Sequence, residues 1–169
     1  MNRHGACRLD SFVVGRGEVL FMEAKWIHPF LHSACTVIEQ VVQVRPERGE
    51  MEMTVWSGDH DLLVKIELTG QLSLDIAFGL SEEVAVKMAS AMMGGYPLES
   101  LDMMGESAIS ELSNMISGNA STLLYNEGII VDITPPQLFR SEALGQDSAM
   151  AVPLHLEHIG RFDVLVRVG

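Results

Sequence analysis

The stretch LDMMGESAISELSNMISGNASTLLYN, residues 101–126, predicts one long helix with two chemically different faces. At about 100° per residue, apolar side chains fall on a single stripe typical of a helix packed on a core: Leu101, Ala108, Ile109, Leu112, Ile116 and Leu123. The opposite stripe carries small polar residues: Ser107, Glu111, Asn114, Gly118 and Ser121. Because only Glu111 and Asn114 project functional groups from this stripe, another surface can approach it closely.

The composition predicts one domain with a sizeable core, since the chain has 169 residues and 47% of them are hydrophobic. No apolar run reaches the roughly 18 residues of a membrane span, and residues 1–21 lack the apolar centre of a secretory signal. The net charge of −12 would repel nucleic acid and anionic lipid, which argues against both as main partners. We therefore expect a cytoplasmic protein whose partner is a protein with a basic patch.

The cysteines and histidines do not predict a metal site. Two cysteines, Cys7 and Cys35, make no disulfide framework, which indicates a reducing compartment. His28, His32 and Cys35 fall at i, i+4 and i+7, a spacing that can place three zinc ligands on one helical face. Pro29 marks a helix start, however, so His28 is expected outside the regular turns. We interpret this segment as an ordinary half-buried surface.

The first half of the chain predicts a helix followed by strands. Residues 1–21 show no sustained period and are interpreted as an N-terminal extension, which leaves 22–169 as the domain. A helix is expected over 23–44, because apolar residues recur there at three- and four-residue steps. Period-two alternation and hairpin-sized links then predict an antiparallel meander, with strands at 51–55, 62–68 and 72–78.

The second half repeats this order. Ser81 is expected to cap a helix that runs to Met93 and precedes the long helix. Gly128 ends the long helix, and three further strands are predicted, at 128–134, 149–156 and 162–168. The order suggests two similar halves, in which Ser33-Ala34 can be laid on Ser107-Ala108. The fold class is therefore α/β with a largely antiparallel sheet and packed helices.

Residues 111–120, Glu-Leu-Ser-Asn-Met-Ile-Ser-Gly-Asn-Ala, resemble the ExxN signature of the CheC/CheX/FliY family of CheY phosphatases. The resemblance extends over most of 22–169. It includes the Lys-Trp-Ile-His-Pro-Phe segment at 25–30, the Gly-Ile-Ile-Val-Asp-Ile strand at 128–133, and the prolines that follow. A single ExxN copy points to a CheX-like member. The resemblance implies two halves, each a helix plus a three-stranded meander, and a homodimer.

This resemblance also implies a function, which is removal of the aspartyl phosphate from a CheY-type receiver domain in bacterial chemotaxis. Side chains at i and i+3 of a helix lie about 5 to 6 Å apart at Cβ, so Glu111 and Asn114 can enter a partner's shallow site together. By resemblance, Asn114 would hold the attacking water and Glu111 would engage the receiver's lysine. No cofactor of this chain is implied, because a divalent metal, Mg²⁺, is expected in the receiver.

Three alternatives remain open at this stage. The chain could be a catalytically silent scaffold that docks a receiver without hydrolysing its phosphate. It could also be a small-molecule sensor, although only its apolar core favours that interpretation. Finally, Gly118 could serve the close packing of another helix inside this protein instead of belonging to a partner-binding face with Ser107 and Ser121.

Overall fold

The computed structural model describes residues 18–56, 60–140 and 148–168. Its three helices are α1 (Glu18–Val41), α2 (Glu82–Met92) and α3 (Met103–Asn126). The strands of these ranges are β1 (Glu47–Arg48), β2 (Glu52–Val55), β3 (Leu62–Gly70), β4 (Leu74–Leu80), β5 (Val131–Ile133), β6 (Gln137–Arg140), β7 (Ser148–Leu156) and β8 (Gly160–Val168). None of the helices in this part of the chain is long and apolar enough to cross a membrane.

The strands form one antiparallel sheet in the order β1, β7, β8, β4, β3, β5, with β2 also on β7 and β6 also on β3. The helices cover one face of this sheet and enclose the main core with the inward residues of the central strands. Phe78 and Phe162 stack there across β4 and β8, with ring centroids 5.6 Å apart. A smaller apolar cluster without helical residues lies on the other face: Trp56, Leu63, Ala77, Ala149, Ala151 and Leu165.

The two halves of the chain exchange their first strands, so the predicted meander is wrong in its pairing. Residues 52–55 pair with β7, where Met53 lies opposite Met150, and not with β3. In the same way β5 and β6 of the second half pair with β3 of the first half. Period-two alternation marks a buried face but does not choose the neighbouring strand. The predicted α/β class and antiparallel sheet are confirmed, and β3 and β4 form the expected hairpin.

The first helix differs from its prediction at both ends. It begins at Glu18 and ends at Val41, so Pro29 lies inside the helix and not in its first turn. The predicted extension over 1–21 therefore overlaps α1 in four residues, while residues 1–17, including Cys7, lie outside the described ranges. Local periodicity defines helix ends poorly, because a helix can continue past the residues that contact the core.

The predicted alignment of the two halves is also wrong. Ser33 and Ala34 are fully buried, whereas Ser107 is exposed, so they do not occupy equivalent positions. At another constant offset, five buried residues of α1 and of the position just after it fall on five buried residues of α3: Ile27 on Ile109, Phe30 on Leu112, Ala34 on Ile116, Ile38 on Ala120 and Val42 on Leu124. In that alignment Pro29 and His32 stand where α3 has its Glu and Asn, so α1 carries no second polar pair.

Candidate active site

The long helix α3 is anchored at its start and along its buried stripe. The Asp102 side chain accepts a hydrogen bond from the backbone N–H of Gly105 at 2.9 Å, which caps the helix two residues later than predicted. Ile109, Leu112 and Ile116 are fully buried, as the apolar stripe predicts. Since one side of α3 is held against the core, the opposite side must face outward.

Two buried serines of α3 lie between the apolar residues and were not singled out from the sequence. Ser113 Oγ donates to the Ile109 carbonyl at 2.9 Å, and Ser117 Oγ donates to the Ser113 carbonyl at 2.8 Å. Each hydroxyl is therefore satisfied within its own helix, so burying it leaves no unpaired polar group. Small side chains at these positions leave room for α1, which packs against α3.

The predicted site residues lie together on the outward face of α3. Glu111, Asn114, Ser107 and Gly118 are exposed, and Ser121 is half-buried. Within the described ranges, neither the Glu111 carboxylate nor the Asn114 amide has a hydrogen bond or ion pair to another side chain. The fold thus makes no use of either functional group, and both are available to a second molecule.

The surroundings of Gly118 show whether this glycine serves packing inside the fold. A Cβ built on Gly118 would have no heavy atom of another part of the chain within 4 Å. The alternative in which this glycine permits close packing of a helix within the protein is therefore wrong. The missing side chain instead leaves the outward face of α3 flat beyond Asn114.

An open groove of about 540 Å³ runs along this face of α3. One wall is polar and comes from the helix, where the lining residues are Glu106, Ser107, Ser110, Glu111 and Asn114, with Met103 at the helix start. The other wall is apolar and comes from the segment between β5 and β6 together with β6 itself: Pro135, Pro136 and Leu138. In the sequence the two prolines only follow the predicted strand at 128–134, and nothing local places them beside α3.

The apolar wall is held in place by pairing to β3 and by an arginine. Thr134 donates its backbone N–H to the Glu67 carbonyl at 3.0 Å, and its hydroxyl oxygen accepts from the Glu67 N–H at 2.9 Å. Arg140, at the end of β6, forms ion pairs with Glu106 of α3 at 2.6 Å and with Glu82 of α2 at 3.5 Å. The hydrogen bond that Arg140 donates to Glu106 is the main reason that the pKa of Arg140 is raised. These contacts connect both walls of the groove.

The structure does not assemble the alternative zinc site. His28 and Cys35 are half-buried on α1 and His32 is exposed, and no group of three or more possible metal ligands converges anywhere in the described ranges. Burial, followed by the nearby charge of Arg48, lowers the pKa of His28.

Comparison with known proteins identifies the family. Residues 62–155, more than half of the chain, match the family model described as chemotaxis phosphatase CheX. The CheY-P phosphatase CheX of Thermotoga maritima is 34% identical over 116 residues, which are 68% of this chain and 75% of that protein. The chain belongs to the CheX family. The predicted resemblance is therefore confirmed.

Solved structures of CheX and related proteins share the fold. The CheX chain in a CheX–CheY–BeF3–Mg²⁺ complex from Borrelia burgdorferi has a TM-score of 0.71 at 25% identity, over 85% of this chain and 97% of that one. CheX from Desulfovibrio desulfuricans has a TM-score of 0.73 at 20% identity, over 86% and 99%. A CheC-like protein from Shewanella has 0.74 at 20%, over 83% and 95%. The latter two establish the fold alone.

Proposed function

We propose that this CheX-family chain removes the phosphoryl group from the aspartyl phosphate of a CheY-type receiver domain in bacterial chemotaxis. The observation that carries the proposal is the exposed Glu111 and Asn114 pair, which lines an open groove and has no side-chain partner within the described fold. The Thermotoga maritima relative is named a CheY-P phosphatase, and the Borrelia burgdorferi relative is seen in complex with CheY. Both names fit a groove that admits another protein.

Asn114 is proposed to position the attacking water. An acyl phosphate is already reactive, so much of the remaining barrier is the cost of holding a water in line with the phosphorus. The amide oxygen of Asn114 can accept a hydrogen bond from that water and orient its lone pair toward the phosphoryl group. A neutral amide suits this place, because a carboxylate there would repel the phosphoryl oxygens.

Glu111 is proposed to bind the receiver through its carboxylate. Its carboxylate is exposed and has no described cation within ion-pair distance, so it can meet a lysine of the partner without breaking an internal contact. Ser107, Gly118 and Ser121 would form the surrounding partner-binding face, since their small size lets the receiver come close. The divalent metal is proposed to belong to the receiver, where it would offset charge on the transferred group.

The experiment that tests the proposal is single-turnover decay of a phosphorylated receiver with the wild-type protein and Asn114→Ala. Loss of the oriented water is expected to slow turnover by roughly a hundredfold or more. Affinity for a receiver carrying BeF3 and Mg²⁺ is expected to stay within a few-fold, because one neutral hydrogen bond contributes only about 0.5 to 1.5 kcal/mol. Asn119→Ala is the matched control, since Asn119 is an exposed asparagine on another side of α3.

A wild-type turnover rate in Asn114→Ala, with normal binding, would contradict water positioning by this residue. The silent scaffold would then be the better description of the chain. Failure of the wild-type protein to accelerate phosphate loss from any receiver of a chemotaxis panel would contradict the phosphatase proposal itself.

The Glu111→Gln variant tests receiver binding by Glu111 separately from water positioning by Asn114. The change keeps the side-chain shape but removes the charge, so it is expected to weaken receiver binding and also to slow turnover. Wild-type affinity should fall as salt rises, whereas the affinity of Glu111→Gln should depend less on salt. Glu127→Gln, at the other end of α3, is the control for net charge. Equal salt dependence in wild type and Glu111→Gln would show that this carboxylate meets no cation.

We also propose a homodimer. Strand β2 lies at one edge of the sheet, and its Met53 and Val55 are 58% and 43% exposed. An apolar sheet edge of this kind favours pairing with another strand. Light scattering should therefore give a dimer mass that falls to the monomer mass in a Met53→Lys, Val55→Lys double variant. A monomer mass for the wild type across micromolar concentrations would contradict the proposal.

We further propose a cytoplasmic location, where receivers of this class act. In that compartment glutathione and thioredoxin keep most cysteine thiols reduced. Trapping with an alkylating agent in intact cells should find both cysteines of the chain as thiols. Persistent oxidation of Cys35 under these conditions would contradict a cytoplasmic location.

A further inference from the structure

Beyond the Glu111 and Asn114 pair, the groove has a second wall for which the proposed chemistry gives no use. Pro135, Pro136 and Leu138 line it, and none of them can position a water or bind a lysine. Met103 lies at the same groove and is 83% exposed, the largest exposed fraction among the large hydrophobic side chains of the described residues. Burial of such a side chain in a partner would remove apolar surface from water.

The position of Met103 relative to the polar pair limits what it can touch. Met103 and Glu111 are eight positions apart on the helix, which corresponds to about 12 Å along the axis at the helical rise. A group that contacts Met103 therefore lies outside the receiver's phosphorylation site, on a neighbouring part of its surface. The contact would be continuous with the proposed catalytic interface, because one groove joins the two.

The apolar wall is also rigid, which favours a role in binding. Proline fixes its own backbone φ angle, and two consecutive prolines restrict the wall on that side. The Thr134 and Glu67 hydrogen bonds and the Arg140 and Glu106 ion pair attach this wall to the sheet and to α3. A preorganised wall loses little conformational entropy on binding, while the unbranched Met103 can adjust to the partner's shape.

Charge indicates which kind of surface fits the groove. Of its two carboxylates, Glu106 is paired with Arg140, and Glu111 has no described cation. A complementary surface thus presents one cation to Glu111 and apolar atoms to the opposite wall and to Met103. We propose that Met103, with the Pro135, Pro136 and Leu138 wall, binds an apolar side chain on the receiver's surface beside its phosphorylation site, and thereby determines which receiver is accepted.

This inference rests on the proposed receiver partner, and its test uses binding as well as hydrolysis. Met103→Ser is expected to weaken affinity for a receiver carrying BeF3 and Mg²⁺ by about tenfold, which corresponds to about 1.4 kcal/mol. The rate at saturating Met103→Ser should equal that of wild type. The loss of affinity should persist at high salt, since an apolar contact is not screened.

Met104→Ser is the matched control. Met104 is the next residue of the same helix and is 60% exposed, but it does not line the groove. The Met104→Ser variant should bind the receiver with wild-type affinity. Thermal unfolding of both variants should match wild type, because neither side chain is buried.

The outcomes separate this inference from the proposed function. If Asn114→Ala loses turnover while Met103→Ser and Met104→Ser bind equally well, the phosphatase proposal stands and the apolar contact is overturned. If the wild type binds the receiver but does not hydrolyse its phosphate, a selective defect in Met103→Ser still supports the contact. If the wild type binds no receiver of the panel, both proposals are overturned.

Discussion

Individual residues of α3 divide between those buried in the core and those exposed on the face proposed to bind a receiver. Ile109, Leu112 and Ile116 are fully buried, whereas Glu111 and Asn114 are exposed and have no described side-chain partner. Residues that the fold does not need can serve binding without changing stability. Removing either exposed group should thus change activity without unfolding the protein, whereas truncating one of the buried residues to alanine would cost about 2 to 5 kcal/mol.

The substitution Gly118→Ala should raise the stability of the protein and lower its affinity for the receiver. Alanine is favoured over glycine in a helix by about 0.5 to 1 kcal/mol, and the new Cβ meets no other part of the chain. The melting temperature should rise by about 2 to 4 °C. Receiver affinity should fall, because the added methyl group stands on the proposed partner-binding face. Calorimetry and receiver binding are the two measurements.

Gly128→Ala is the control for Gly118→Ala. Gly128 follows the end of α3 with φ of +84°, a left-handed conformation that costs an L-residue about 1 kcal/mol or more. This substitution should therefore lower the melting temperature and leave receiver affinity unchanged. A fall in stability for Gly118→Ala as well would show that its environment is tighter than the structure indicates.

At the scale of elements, the groove depends on how α3 begins and on what faces it. Asp102 caps α3 next to Met103, and Arg140 joins β6 to the first turns of α2 and α3. The Arg140 ion pairs are partly exposed, so each contributes little to stability. Their consequence is geometric, because they hold the apolar wall opposite the polar face of the helix.

Asp102→Ala should destabilise the protein by about 1 kcal/mol, because the Gly105 N–H loses its acceptor at the positive end of the helix. Asp102→Ser keeps an oxygen in reach of that N–H and should recover most of the loss. Urea unfolding of the three proteins measures the difference. Equal stability of the wild type and Asp102→Ala would mean that solvent replaces the cap without cost.

At the scale of the whole molecule, a buried carboxylate fastens the sheet on the face opposite the helices. Asp163 of β8 is 3% exposed, with Oδ2 2.6 Å from His60 Nε2 and Oδ1 2.6 Å from Arg161 Nε. Arg161 also pairs with Glu52 of β2. The His60 ring lies against Gly79 of β4, where a Cβ would come within 2.6 Å of it. This network connects β2, β4 and β8.

This network should make the stability of the protein depend on pH in the acidic range. Burial alone would raise the pKa of Asp163, but hydrogen bonds from His60 and Arg161 outweigh it and lower the pKa below 3.8. The stabilisation is therefore complete above about pH 4, the ordinary value of an aspartate, and is lost as pH falls through the lower folded-state pKa. Asp163→Asn should cost about 3 kcal/mol near neutral pH.

Melting temperatures of wild type and Asp163→Asn between neutral pH and about pH 2 test this linkage. The two curves should converge as the wild-type carboxylate becomes protonated, because both side chains are then neutral. Asp132→Asn, an exposed aspartate on β5, is the control and should follow the wild type. A constant difference across the whole pH range would contradict a contribution from the ionised form of Asp163.

The sequence alone determined the features that depend on neighbouring residues. Helical periodicity and the caps predicted α2 and α3, with Ser81 confirmed as a cap that accepts from the Val84 N–H. Alternation predicted most strands, and the face carrying Glu111 and Asn114 followed from helix geometry. The ExxN segment also pointed to the family that the comparisons confirm.

Only the tertiary structure decided which distant segments meet. The pairing of β2 with β7 and of β6 with β3 joins residues far apart in the chain, and alternation is the same whichever strand is the neighbour. Strand β1 has only two residues, and the sequence of β6, Gln-Leu-Phe-Arg, does not alternate. For the same reason the sequence revealed the polar wall of the groove, which lies on one helix, but not the apolar wall of Pro135, Pro136 and Leu138, which only long-range strand pairing brings opposite α3.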